Sequence, residues 1–193
     1  MPWAKQFDDD DALAKAMAAF WANGYEATSV QDLVACMGIN RGSLYATFGD
    51  KRSLFILALR RYDVLYRSQP VARLAKKYSP RKAILGAFDT AIAAVVEHGS
   101  RDGCLLVNTA LELSPHDQEI AEIVDAGFAE MEFFFHDMIV RGQSTGEIPA
   151  QIVPTQTARA LLGMLIGLRV LSRSRPEPSL LRSIADRAAA LLD

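Results

Sequence analysis

Apolar residues recur at spacings of three and four along nearly the whole chain, and no run of alternating apolar and polar residues reaches strand length. The pattern therefore predicts helices throughout. Leu13, Ala16, Met17, Phe20 and Trp21 make one stripe over a first helix at about 8–23. Four aspartates, Asp8 to Asp11, suit its positive end, and Gly24 follows as a stop. Thr28 and Gln31 have the spacing of a capping box opening a short second helix, about 29–36, whose apolar face is Val30, Leu33 and Val34. Asn40 is a good N-cap for a third helix ending near Phe48, with Ile39 able to staple onto Leu44. Gly49 and Asp50 break and recap the chain before a fourth helix that carries Leu54, Phe55, Ala58, Leu59 and Tyr62.

Arg67, Ser68, Gln69 and Pro70 read as a seam that divides the chain into 1–67 and 68–193. Beyond it, a short helix precedes Ser79-Pro80, which starts a long helix running to Gly99. Cys104 to Leu113 reads as a short helix, and Ser114-Pro115 as the cap of a long one from 116 to about 143. Pro154 introduces a helix over 155–173, and Pro176 and Pro178 set off a last one over 179–192. The expected fold class is all-α: a three-helix N-terminal module followed by a larger helical domain.

Composition narrows what such a chain can do. The 193 residues are 50% hydrophobic, enough for a sizeable core, and the net charge is −2, so any nucleic-acid footprint rests on a few placed cations. The two cysteines, Cys36 and Cys104, are too few for a disulfide framework. The start of the chain, with Lys5 followed by the aspartates, does not read as a signal peptide. Leu161 to Leu168, bounded by Arg159 and Arg169, is too short to span a bilayer, so a cytoplasmic location with no membrane partner is expected. His98, His116 and His136 lack metal-ligand spacing, and no nucleophile, base and orienting group stand in a recognisable relation. Neither a cofactor nor enzymatic activity is expected.

The informative stretch is TSVQDLVACMGINRGSLYATFGDKRSL, from Thr28 to Leu54. Two short helices joined at Met37-Gly38-Ile39 make a helix-turn-helix, whose turn needs Gly38 for a positive φ or a close approach. Leu44 and Phe48, four apart, face inward. Arg41, Gly42, Ser43, Tyr45, Ala46 and Thr47 are left to project outward from the start of the second helix, the part of such modules that reaches base edges. Arg41 can grip phosphate or read guanine, Gly42 lets backbone come close, and the hydroxyls of Ser43, Tyr45 and Thr47 can meet phosphates or bases. Lys51, Thr28 and Ser29 sit at helix starts suited to phosphate oxygens.

Gly24 before an aromatic, the Thr-Ser start of helix two, Gly38, Gly42, and Leu44-Tyr45-x-x-Phe48 followed by Lys51 and Leu54 together resemble the TetR/AcrR family of bacterial transcriptional regulators. The match covers about residues 8–60. The resemblance implies a homodimer that binds double-stranded operator DNA, with residues matching 41–43 and 45–47 in the major groove and Lys51 on the backbone. Ala46 departs from the larger residue often found there, leaving contact with a thymine methyl or none. It also implies a variable domain that binds a small, largely apolar effector.

In that domain, Leu161, Leu162, Leu165, Ile166, Leu168 and Leu171 are too many apolar residues for one narrow stripe, and Gly163 and Gly167 permit close backbone approach. With Ile184, Ala188, Leu191 and Leu192 they are expected to form a dimer interface. Phe88, Ile92, Val95, Leu105, Asn108, Leu111, Phe128, Met131, Phe134, Phe135 and Met138 are the candidate pocket, with Thr109 and Glu112 as further polar members. Cys104 starts a short helix, where it reads either as an inert buried thiol or as one whose pKa the dipole lowers enough to make it reactive, whereas Cys36 is expected to be packing. The expected function is a ligand-responsive repressor. The alternatives are a thiol-based electrophile or redox sensor using Cys104, or a small-molecule binding protein that does not bind DNA.

Overall fold

The structure, a computed structural model, describes residues 7–97, 99 and 101–193. Lys5 and His98 lie outside the described residues. Among those described, the chain forms ten α-helices and one π segment, without a strand. The first three helices are α1 (Asp9–Asn23), α2 (Val30–Met37) and α3 (Arg41–Phe48). Asp8 caps α1, its carboxylate accepting from the amides of Asp10 and Asp11. The capping box of α2 forms one residue later than the sequence spacing suggested, between Ser29 and Asp32. The Ser29 amide donates to the Asp32 carboxylate at 2.9 Å and the Asp32 amide to the Ser29 hydroxyl at 3.1 Å. Thr28 instead donates its hydroxyl to the Gly24 carbonyl at 2.6 Å and is buried.

α4 (Lys51–Asp63) runs without interruption through a π segment (Val64–Ser68) into α5 (Gln69–Lys77). The expected seam at 67–70 is thus a widened turn and not a break, since the backbone stays right-handed helical through Ser68 and Gln69. Pro70 supplies the cause. It has no N–H, and its ring would strike the Tyr66 carbonyl in a regular α-helix, so the turn opens by one residue.

Five helices follow: α6 (Pro80–Val96), α7 (Leu105–Glu112), α8 (Gln118–Ser144), α9 (Pro154–Ser174) and α10 (Pro178–Ala190). α6 stops at Val96, short of Gly99. α8 is capped by Asp117, whose carboxylate accepts from the Ile120 amide, while Ser114-Pro115 lies in the preceding turn.

Two cores organise the molecule. One gathers Phe20, Leu33, Leu44, Leu54, Phe55 and Leu59 with Leu105, Leu106, Ile120 and Val124, so α7 and the start of α8 pack on the N-terminal helices. The other joins α6, the far part of α8, α9 and α10 around Phe88, Phe135, Ile139, Leu161, Leu168 and Leu181. No helix of the described residues is long and apolar enough to cross a membrane.

Candidate nucleic-acid interface and adjoining cavity

α3 is held by both of its ends. Asn40 accepts from the Ser43 amide at 2.8 Å, and the Gly49 amide donates to the Tyr45 carbonyl at 3.1 Å. Gly38, at φ 70° with open space where a Cβ would stand, is required for backbone conformation and not for close packing. Leu44 and Phe48 are buried in the core that α3 shares with α1, α2 and α4, each contributing about 1.5–3 kcal/mol from burial of its side chain. Fixing these two side chains inward leaves Arg41, Gly42, Tyr45 and Ala46 exposed, with Ser43 and Thr47 half-buried beside them. Tyr45 is 46% exposed, and Arg41 makes no ion pair among the described residues. A Cβ on Gly42 would stand 3.3 Å from the capping oxygen of Asn40, so this glycine also protects the cap.

The flanking candidates are less free. Thr28 is buried with its hydroxyl spent on Gly24, which corrects its expected role as a surface contact. Ser29 remains exposed, but its hydroxyl donates to Asp32 at 2.6 Å. That bond holds the Asp32 carboxyl below its ordinary pKa, placing an anion at the start of α2. The Lys51 ammonium lies 4.3 Å from the centroid of the Tyr25 ring, at the edge of the same surface. Cys36 is exposed, which corrects its expected packing role; its sulfur lies 3.9 Å from the Lys15 carbonyl oxygen.

Among the described residues, three polar clasps, besides the bond from the Trp21 indole N–H to the Gly103 carbonyl at 3.3 Å, tie this module to the rest of the chain. Glu112, at the end of α7, accepts from the amides of Tyr25 and Glu26 at 3.1 and 2.8 Å. Arg52 on α4 makes a two-pronged contact with Asp117 at 2.6 and 2.9 Å and also reaches Glu119 at 2.9 Å. Arg173 on α9 donates to the carbonyls of Trp21, Ala22 and Asp102. Glu112 therefore clasps the helix-turn-helix and does not line a pocket.

Beside this module lies a largely apolar cavity of about 70 Å³, partly open to solvent. Of the expected pocket residues, Cys104, Phe128 and Met131 line it. The others do not. Phe88, Ile92, Phe134, Phe135 and Met138 are spent in the second core and Leu105 in the first. Leu111 is 73% exposed on the far face of α7. Asn108 donates to the Asp102 carbonyl, and the Thr109 hydroxyl to the Leu105 carbonyl.

The missing wall comes from the α4–π–α5 rod through Tyr62, Tyr66, Pro70 and Leu74, and from α9 through Leu162, Leu165, Ile166 and Arg169. The recurrence of 62, 66, 70 and 74 at fours is a sequence signal of that wall. Tyr62 is deeply buried; burial first, and then the neighbouring Cys104 thiol, push its phenol well above its ordinary pKa.

The expected dimer residues divide as well. Leu161, Leu165 and Ala188 are buried within the single chain and belong to its core, a correction that follows from their inward face on α9 and α10. Leu162, Ile166, Gly167, Leu171 and Ile184 are half-buried, while Gly163 and Leu191 are exposed. A Cβ on Gly163 or Gly167 would meet nothing within 4 Å, so one edge of α9 stands open.

Comparison with known proteins agrees with this geometry. The family described as "Bacterial regulatory proteins, tetR family" matches residues 12–58, and "Tetracyclin repressor-like, C-terminal domain" matches residues 80–187. The transcriptional regulator YezE of Bacillus subtilis, itself uncharacterized, is 30% identical over 98% of both chains. The transcriptional repressor ComR of Escherichia coli is 33% identical over 94% of this chain and 87% of its own. Among solved structures, a cysteine-substituted form of the TetR family regulator CifR, complexed with 26-bp double-strand operator DNA, is 28% identical. It aligns with a TM-score of 0.87 over 98% of this chain and 99% of its own. With both halves matched in order and relatives aligned along nearly its whole length, the chain belongs to the TetR family of DNA-binding transcriptional regulators.

Proposed function

We propose that this regulator is an effector-responsive repressor that works in the cytoplasm as a homodimer, by binding and not by catalysis. The observation that carries the reading is the outward edge of α3, where Arg41, Gly42, Tyr45 and Ala46 stand exposed on a helix anchored by Leu44 and Phe48. Arg41 takes a guanine edge or a phosphate, Tyr45 and the half-buried hydroxyls of Ser43 and Thr47 position the helix, and Lys51 and Ser29 flank it. The open edge of α9 at Gly163 and Gly167, with Val170 and Leu191 beside it, supports pairing of two copies. Such a pair presents two α3 helices to half-sites about one DNA turn, ~34–36 Å, apart. That ComR is a repressor and CifR was captured on operator DNA favours the same role.

The α4–π–α5 rod links reading to sensing. It begins next to the end of α3 and then lines the cavity with Tyr62, Tyr66 and Pro70. An effector that binds one setting of the rod better than another shifts the spacing of the two α3 helices.

The test is enrichment of bound oligonucleotides, followed by titration of the selected site at several salt concentrations with wild type and Arg41→Ala. Binding should weaken steeply with salt and lose about 1–3 kcal/mol per half-site in the variant. Binding indifferent to both would refute the assignment of α3. A second reading has one observation in its favour: Cys104 lines the cavity beside the Tyr62 hydroxyl. On that reading, Cys104→Ser keeps operator affinity and loses release by electrophiles. Release that persists in the serine variant excludes it.

A further inference from the structure

We propose that the cavity takes a small amphiphilic anion, an apolar body bearing one carboxylate, with Arg169 as its counter-ion. The proposal rests on reading the cavity as the effector site. Two guanidinium groups reach it, and their situations differ. Arg67 is already neutralised, ion-paired with Asp63 within the rod and with Glu130 on α8 at 2.8 Å. The Arg169 guanidinium makes no hydrogen bond or ion pair among the described residues, only its backbone carbonyl being engaged, by the Ser172 hydroxyl at 2.7 Å. Its neighbours on α9 are matched: Arg159 pairs with Glu132 at 3.0 Å, and Arg173 holds three carbonyls.

Among the residues that line the cavity none is a carboxylate, and the Cys104 thiol lies against Tyr62. Val71, Leu74, Leu106, Val107 and Met131 present only apolar atoms. The Thr90 hydroxyl is spent on the Gly86 carbonyl at 2.7 Å. Burial keeps the phenol of Tyr62 neutral, so it brings no negative charge to the cavity. A half-buried cation against apolar walls is costly while unpaired, and a carboxylate docking on it gains a charge-assisted, two-pronged bond. The aromatic faces of Tyr66 and Phe128 and the aliphatic wall then accept the ligand's body.

Isothermal titration of the full-length protein with hydrocinnamate, hydrocinnamyl alcohol and hydrocinnamylamine separates the contributions, because the three share one apolar body and differ in head-group charge. Hydrocinnamate should bind about tenfold more tightly than the alcohol, equivalent to ~1.4 kcal/mol, and the amine most weakly. Arg169→Gln should erase the preference for the acid while leaving the alcohol's affinity in place, and Arg169→Lys should retain much of it. Equal affinity for acid and alcohol in the wild type, or a preference that survives in Arg169→Gln, overturns the role of Arg169 while leaving the cavity as a ligand site. Absence of binding by all three probes overturns both the proposal and the effector reading.

Discussion

Replacing Glu112 by alanine tests how far the C-terminal half holds the DNA-reading module in place. Its carboxylate satisfies two backbone amides in the α1–α2 turn, Tyr25 at 3.1 Å and Glu26 at 2.8 Å. A hydrogen bond to a charged acceptor contributes about 1.5–3 kcal/mol, which is the loss expected at the half-buried Tyr25 amide. At Glu26, exposed to solvent, water takes over and about 0.5–1 kcal/mol is lost. The sum, about 2–4 kcal/mol, should lower the melting temperature by about 4–16 °C for a chain of this size, measured by circular dichroism at fixed protein concentration. Glu112→Gln keeps one acceptor oxygen but turns an amide toward the second N–H, so it should lose about half as much. Amide exchange should quicken at Tyr25 and Glu26 before it quickens in α6 or α10. A Glu112→Ala loss within the ~0.5 kcal/mol of an ordinary surface substitution, or unchanged exchange at those two amides, would refute the clasp.

Two further outcomes follow from other contacts. Arg52 holds the Asp117 carboxyl down to about 2, below its ordinary value of 3.8, so the pair's contribution to stability is present above pH 3.8 and is lost as pH falls from there toward 2. Denaturant titrations between those limits should show that loss in the wild type and a shallower one in Arg52→Gln; identical acid profiles would exclude it. A Cβ on Gly142 would stand 2.6 and 2.7 Å from the Cδ1 and Cγ1 atoms of Ile148, so Gly142→Ala should cost about 1–3 kcal/mol in chemical denaturation, and Ile148→Val in the same background should recover part of it.

Local chemistry in this chain is legible and long-range chemistry is not. The helix-turn-helix reads well because Asn40, Gly38, Leu44 and Phe48 act on neighbours within a few residues. Errors of one residue are nonetheless decisive on a helix, where each step turns the side chain by about 100°. Thr28 and Ser29 exchange inside for outside in this way, as do Leu161 and Gly163 two positions apart. The surplus of apolar residues on α9 points to several buried faces, but sequence periodicity does not say which face meets the chain's own core, which meets the cavity and which stands open. The three clasps join positions 65 to 152 residues apart, with no local signature at either end. The cavity's second wall was hidden because Pro70 reads as a terminator, whereas a π turn lets the helix absorb it.

Trp21 sits at an informative crossing. Its ring packs edge-on against Tyr62 and Tyr66 at 4.8 and 4.7 Å, its indole N–H donates to the Gly103 carbonyl beside Cys104, and its own carbonyl receives Arg173. The molecule therefore carries a native optical gauge: with Trp3 changed to phenylalanine, emission from this single indole registers cavity filling and release of the α1 terminus without an attached dye.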